Sequence, residues 1–174
     1  MSTLNKGVGT VEVGLRWDPS PRGTNPHDLD IVAGTYRADA LRGDPAYVVH
    51  FDSRSPDGTI TLARDSKTGQ GFGFDEVMKL EFGRLAPVYG RVVVGVVIQQ
   101  RHGRRVFGEV PNTQVRVSEG HTELWSDAFA GVPDATAAVV AEFIRDDGGV
   151  WRYHETLRGY DSDPQSFLAL MGTA

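Results

Sequence analysis

Val11, Val13, Leu15 and Trp17 alternate with Glu12, Gly14 and Arg16. A period of two gives a strand one buried and one wet face, so the chain is predicted to open on a strand. Similar short segments follow at 29–36, 46–51, 60–63, 77–82, 91–99, 106–110, 113–117, 122–127, 138–145 and 150–156. Between them stand Asp18-Pro-Ser-Pro-Arg-Gly23, Arg42-Gly-Asp-Pro45, Ser55-Pro-Asp-Gly58, His102-Gly103, Ser118-Glu-Gly120 and Asp146-Asp-Gly-Gly149. These residues accept a positive φ or preset a turn. Many short strands without long helical patterns between them predict an all-β fold, a sandwich of two antiparallel sheets. Val92-Val-Val-Gly-Val-Val-Ile98 does not alternate. Its β-branched residues predict a central strand covered on both faces. One helix is predicted near the end, where Asp163 caps, Pro164 takes the first helical position and Phe167, Leu168 and Met171 share a face. Residues 133–140 are ambiguous between helix and strand.

Composition narrows the functional classes. The 174 residues include 21 glycines and 9 prolines, above the roughly 12% of average usage, as a turn-rich β protein requires. No repeat, low-complexity tract or linker divides the chain, so residues 1–174 are read as a single domain. Cysteine is absent, which removes disulfides, thiolate metal sites and thiol catalysis. No signal-peptide core or bilayer-length apolar run occurs, and the expectation is a soluble, cytoplasmic protein with no transmembrane segment. A formal charge of −5 argues against general attraction to nucleic acid and suits a cation better.

The candidate chemistry lies in two acidic stretches. Asp65-Ser-Lys-Thr-Gly-Gln-Gly-Phe-Gly-Phe-Asp-Glu76 has acidic ends around alternating glycines. A hard cation such as calcium takes six to eight oxygens from carboxylates and main-chain carbonyls, and glycines let the backbone turn its carbonyls inward. The loop is not an EF-hand, because Lys67, Gly69 and Gln70 occupy positions where that motif needs ligands and its glycine. An ordinary exposed hairpin is the plainer alternative. In Asp28-Leu29-Asp30, residues two apart on a strand aim two carboxylates to one side, which either a divalent ion or open solvent would stabilise.

The ordered set of segments resembles the TerD-like tellurium-resistance family of bacterial stress proteins. It comprises Leu4, Lys6-Gly7, Val13-Gly14-Leu15 with Trp17-Asp18, Asp28-Leu29-Asp30, Ser55–Gly58, Thr68–Gly71, Asp75-Glu76, Phe107–Asn112, Trp151 and Gly159-Tyr160. The resemblance implies a β-sandwich that binds one or two calcium ions, takes part in resistance to tellurite and other stresses, and has no established reaction. It gives the metal-ligand role to Asp28, Asp30, Asp65, Asp75 and Glu76, with main-chain oxygens around Ser66 and Gly71. Calcium ions and other stress-response proteins are the partners it implies. Phe74 stands where the family has an Asp, and Pro26-His27 where another often precedes the Asp-Leu-Asp motif, so fewer or weaker ion sites are expected.

Two other classes stay open. A calcium-dependent glycan or peptide receptor would use the loop end of the sandwich. A hydrolase would need Asp65, Asp75 and a histidine, His50 or His27, in one cleft. The usual nucleophile, zinc and phosphate motifs are missing. Trp17, Trp125 and Trp151 read as packing residues, and Arg101-His-Gly-Arg-Arg105 as a solvated turn with no assigned site.

Overall fold

A computed structural model of the chain describes residues 6–51, 53–64 and 73–174. Asp65, Ser66 and Gly71 fall outside these residues. The strands form two sheets in which every pairing is antiparallel. The first runs, edge to edge, β1 (Lys6–Gly7), β11 (Trp151–Tyr160), β10 (Ala137–Arg145), β7 (Tyr89–Ile98), β3 (Leu29–Arg37) and β4 (Tyr47–Val49). The second runs β5 (Ile60–Arg64), β6 (Glu76–Glu81), β2 (Thr10–Arg16), β8 (Gln114–Glu119) and β9 (Thr122–Asp127). The predicted β-sandwich is the observed fold.

The period-two pattern sets the core. Val11, Val13 and Leu15 of β2 and Met78 and Leu80 of β6 meet Ile31 and Ala33 of β3 and Val92, Val94, Val96 and Ile98 of β7 between the sheets. The continuous apolar run of β7 is buried on its other face as well. There Val93 and Val97, with Val32 and Val139, pack beneath Phe167 of a terminal helix, α1 (Pro164–Leu170), and Met171 at its C-terminal cap. Close approach of the helix depends on Gly95, where an added Cβ would lie 2.6 Å from the Phe167 ring. Asp163 caps α1 by accepting the Ser166 N–H at 2.8 Å, and Pro164 takes the first helical position, as predicted.

Residues 106–110 depart from the prediction. They form a 3-10 turn at Phe107–Glu109 rather than a strand, because the Glu109 carboxylate accepts the Val106 N–H at 2.9 Å and folds the chain back. Phe107 then stacks on Phe129 at 4.3 Å. The ambiguous stretch at 133–140 resolves as strand from Ala137 onward. Its alanines favour helix intrinsically, but between β7 and β11 both edges of its backbone are paired, and tertiary context prevails. Among the described residues no helix is long and apolar enough to cross a membrane.

Candidate functional site

Asp28 and Asp30 sit at the start of β3, and Asp75 and Glu76 at the start of β6. The two strands belong to different sheets but begin at the same end of the sandwich, and two contacts tie them together. The Glu76 carboxylate reaches across the core and accepts the Ile31 N–H at 2.8 Å. This N–H points to the side of β3 on which β4 pairs, yet β4 reaches only as far as the Ala33–Val49 pair. Glu76 therefore takes the place of a missing strand partner. Trp17 makes the second tie: its backbone N–H donates to Asp75 Oδ2 at 2.9 Å and its indole N–H to the His27 carbonyl at 3.0 Å. One tryptophan holds Asp75 and the residue preceding Asp28.

All four carboxylates are withdrawn from solvent, with exposures of 7% for Asp28, 3% for Asp30, 2% for Asp75 and 0% for Glu76. Burying a carboxylate is costly without hydrogen bonds or opposite charge, and the structure supplies several. Gln99, just past β7, donates to Asp30 Oδ2 at 2.7 Å. Arg101 donates to Asp28 Oδ2 at 2.7 Å. Asp30 lies on the outer face of the first sheet, two residues before Val32, while Glu76 points between the sheets in line with Met78 and Leu80. Among the described residues, no three carboxylate or histidine side chains converge as a closed metal cluster.

His27 is buried beside this arrangement. Burial, helped by the Arg105 guanidinium, holds its pKa below the ordinary histidine value. Arg105 Nη1 lies 3.1 Å from His27 Nε2, and since a guanidinium only donates, Nε2 accepts and the ring proton rests on Nδ1. His50 opens instead onto a groove shared with Asp30, Val32, Phe51 and the start of α1. Sequence reasoning missed the parts played by Trp17, Gln99 and Arg101. Trp17 carried only a packing signal, and the other two follow the end of a strand with nothing local to mark their partners.

A model of the TerD domain family matches residues 1–169. The chain belongs to the TerD domain family. It is 29% identical to the tellurium resistance protein TerD of Alcaligenes sp, over 99% of this chain and 92% of that protein. It is 28% identical to the protein of the same name from Serratia marcescens, with the same coverage. Among solved structures it superposes with a TM-score of 0.94 on a homologue of telluride resistance protein (TerD), SCO6318 from Streptomyces coelicolor A3(2). That protein is 55% identical, and the match covers 97% of this chain and 99% of the other. The crystal structure of a protein of unknown function, SAV2460, gives a TM-score of 0.96 at 58% identity, with the same coverage.

Membership in the TerD family focuses attention on Phe74, which stands where the resemblance expects an Asp. Its side chain does not extend the acidic set. The ring lies against Gly14 of β2, where an added Cβ would be only 2.9 Å from it, and the Arg116 guanidinium of β8 stacks over it at 4.5 Å. Gly14 and Arg116 are register partners, so Phe74 belongs to a small outer-face stack on the second sheet. The donors of the TerD candidate site are all oxygens, from buried carboxylates on two strand starts. That chemistry fits a hard cation of the calcium type and suits soft or thiophilic metals poorly.

Proposed function

We propose that this chain is a non-catalytic, calcium-binding stress-response protein of the cytoplasm that contributes to resistance against tellurite and related stresses. The observation that carries this reading is the delivery of four buried carboxylates, from two different sheets, to one end of the sandwich. Asp28, Asp30, Asp75 and Glu76, with Asp65 and main-chain oxygens near Ser66 and Gly71, would supply the ligands of one or two ions at that end. The bound ion supplies positive charge that offsets the mutual repulsion of buried carboxylates and joins the two sheets at that end. The names of the relatives supply the physiological half of the reading. The non-catalytic half draws support from the fixed donors on these carboxylates, since Asp75 and Glu76 are anchored by backbone N–H groups rather than poised in an open cleft.

Calorimetric titration of chelator-treated protein tests the assignment. Calcium is expected to bind more tightly than magnesium, whose smaller size demands stricter octahedral geometry and retained waters. Asp65→Asn should weaken binding while nearly preserving shape. Absence of calcium binding to folded, verified apo protein would reject the reading.

The position of Phe74 sets a companion expectation. Phe74→Asp should leave the number of bound ions unchanged, because the side chain lies over Gly14 and beneath Arg116. It should lower stability by about 1–2 kcal/mol through lost apolar burial and the lost cation–π contact. Calorimetry and urea denaturation of the variant check the two halves, and a gained ion site would show that the ring is not held where the outer-face stack puts it.

A further inference from the structure

We propose that Arg101 is a built-in counter-cation of Asp28, and that a divalent ion entering the site exchanges with it rather than binding beside it. The inference rests on the calcium reading above and concerns what the ion must displace. The pair spans 73 residues of sequence, with Arg101 Nη1 2.7 Å from Asp28 Oδ2. Its members are unequally placed: the Asp28 side chain is 9% exposed and the Arg101 side chain 53%. The acid is fixed in the wall, and the guanidinium reaches it from outside.

The turn that carries Arg101 is built so that this side chain can leave without unravelling it. Gln100 clamps the backbone, its Oε1 accepting the Arg105 N–H at 2.7 Å. Its amide nitrogen donates to the carbonyls of Ile98 at 2.9 Å and Arg105 at 3.0 Å. Gly103 completes the turn at φ +107°, a conformation other residues rarely adopt. Beside the ion pair lies a pocket of about 160 Å³, lined by Pro26, Asp28, Gln99, Arg101, His102, Gly103 and Arg105. Since the pocket also holds the Arg105 guanidinium, the half-exposed Arg101 side chain withdraws into solvent rather than deeper into it. An arginine stays charged at all physiological pH values, so a calcium ion on the Asp28 carboxylate would meet a permanent like charge at close range. Guanidinium and divalent ion therefore compete for one carboxylate. Arg101 would stabilise the site without calcium and raise the concentration at which it fills.

The test combines calorimetry with arginine footprinting by phenylglyoxal, read by mass spectrometry on the full chain. Arg101→Gln, at a half-exposed position, should bind calcium about two- to fivefold more tightly than the native protein, the range expected for removing one partly solvated competitor. In the native protein, calcium should raise the modification rate of Arg101 several-fold. Asp28→Asn should raise it without calcium. Equal calcium affinity in native and Arg101→Gln proteins, or Arg101 reactivity indifferent to calcium, would overturn the exchange while leaving calcium binding intact. No calcium binding by either protein would overturn both, even if Asp28→Asn still exposed Arg101 to the reagent.

Discussion

Arg91→Met is expected to cost the fold about 3–5 kcal/mol, the range for removing one partner of a buried, hydrogen-bonded charge pair. Arg91 is 1% exposed, and all five of its N–H groups are used. Nε donates to Glu142 Oε2 at 3.0 Å, and Nη2 donates to Glu142 Oε2 and, at 2.8 Å, to the Ala174 carbonyl. Nη1 donates to the carbonyls of Leu41 and Gly172, each at 2.8 Å. The guanidinium also lies 5.3 Å from the centre of the Tyr36 ring. One side chain on β7 thus binds β10, the loop after β3 and the segment that follows α1. Methionine fills much of the volume but takes the Arg91 donor from the Leu41 carbonyl and the Glu142 carboxylate, whereas the Gly172 and Ala174 carbonyls keep the Gly43 N–H and the Arg42 guanidinium. Arg91→Lys should recover little, since an ammonium cannot reproduce the planar fork. The double variant Arg91→Met with Glu142→Met should be more stable than Arg91→Met alone, because it no longer strands the acid. Urea denaturation followed by circular dichroism measures all three. A loss below about 1 kcal/mol for Arg91→Met would show that the terminal segment is held by Phe167 and Met171 packing alone.

Arg91 also marks the limit of what the sequence discloses. The alternation in β2 and the unbroken apolar run in β7 reveal strands and their burial because side-chain direction along a strand is a local property. Asp163-Pro164 discloses its helix for the same reason, since a cap acts over three residues. Arg91 looks like an outward, wet residue of a strand. It is buried only because α1 and the residues beyond it fold over that face, a fact recorded 81 residues away at Gly172. Arg101 is similar: a basic turn looks solvated until Asp28, distant in sequence, is placed beside it. The misread stretch at 106–110 has a local cause, Glu109 turning back on the Val106 N–H, which competes with the strand that its apolar residues favour. For the candidate site, the acidic residues were legible as residue types in order, and the structure brings the starts of β3 and β6 together. The partners that fix them, Trp17, Ile31, Gln99 and Arg101, were not legible, because a backbone N–H or a lone polar side chain carries no motif.

Calcium should raise the stability of chelator-treated protein by about 4 kcal/mol at a thousandfold excess over its dissociation constant, and by about 2.7 kcal/mol at a hundredfold excess, if the ion binds only the folded state. For a chain of this length those gains correspond to roughly 2–4 °C in Tm per kcal/mol. The size of the effect follows from where the ligands sit. In the unfolded chain Asp28 and Asp75 are far apart in sequence and form no common site, so nearly all of the binding free energy becomes folding free energy. In the folded chain Glu76 and Trp17 already hold the two strand starts together, so the carboxylates that are far apart in the unfolded chain are brought to one end. The comparison must be made at constant ionic strength, because added salt also weakens repulsion among exposed carboxylates and could mimic a small part of the gain. Magnesium at the same concentration provides the control, since it matches calcium in charge and screening but is smaller and demands stricter octahedral geometry with retained waters. A calcium shift several degrees larger than the magnesium shift would mark specific coordination. Equal melting temperatures with calcium, magnesium and chelator would mean that the buried carboxylates are stabilised by Arg101, Gln99 and backbone N–H groups without an ion.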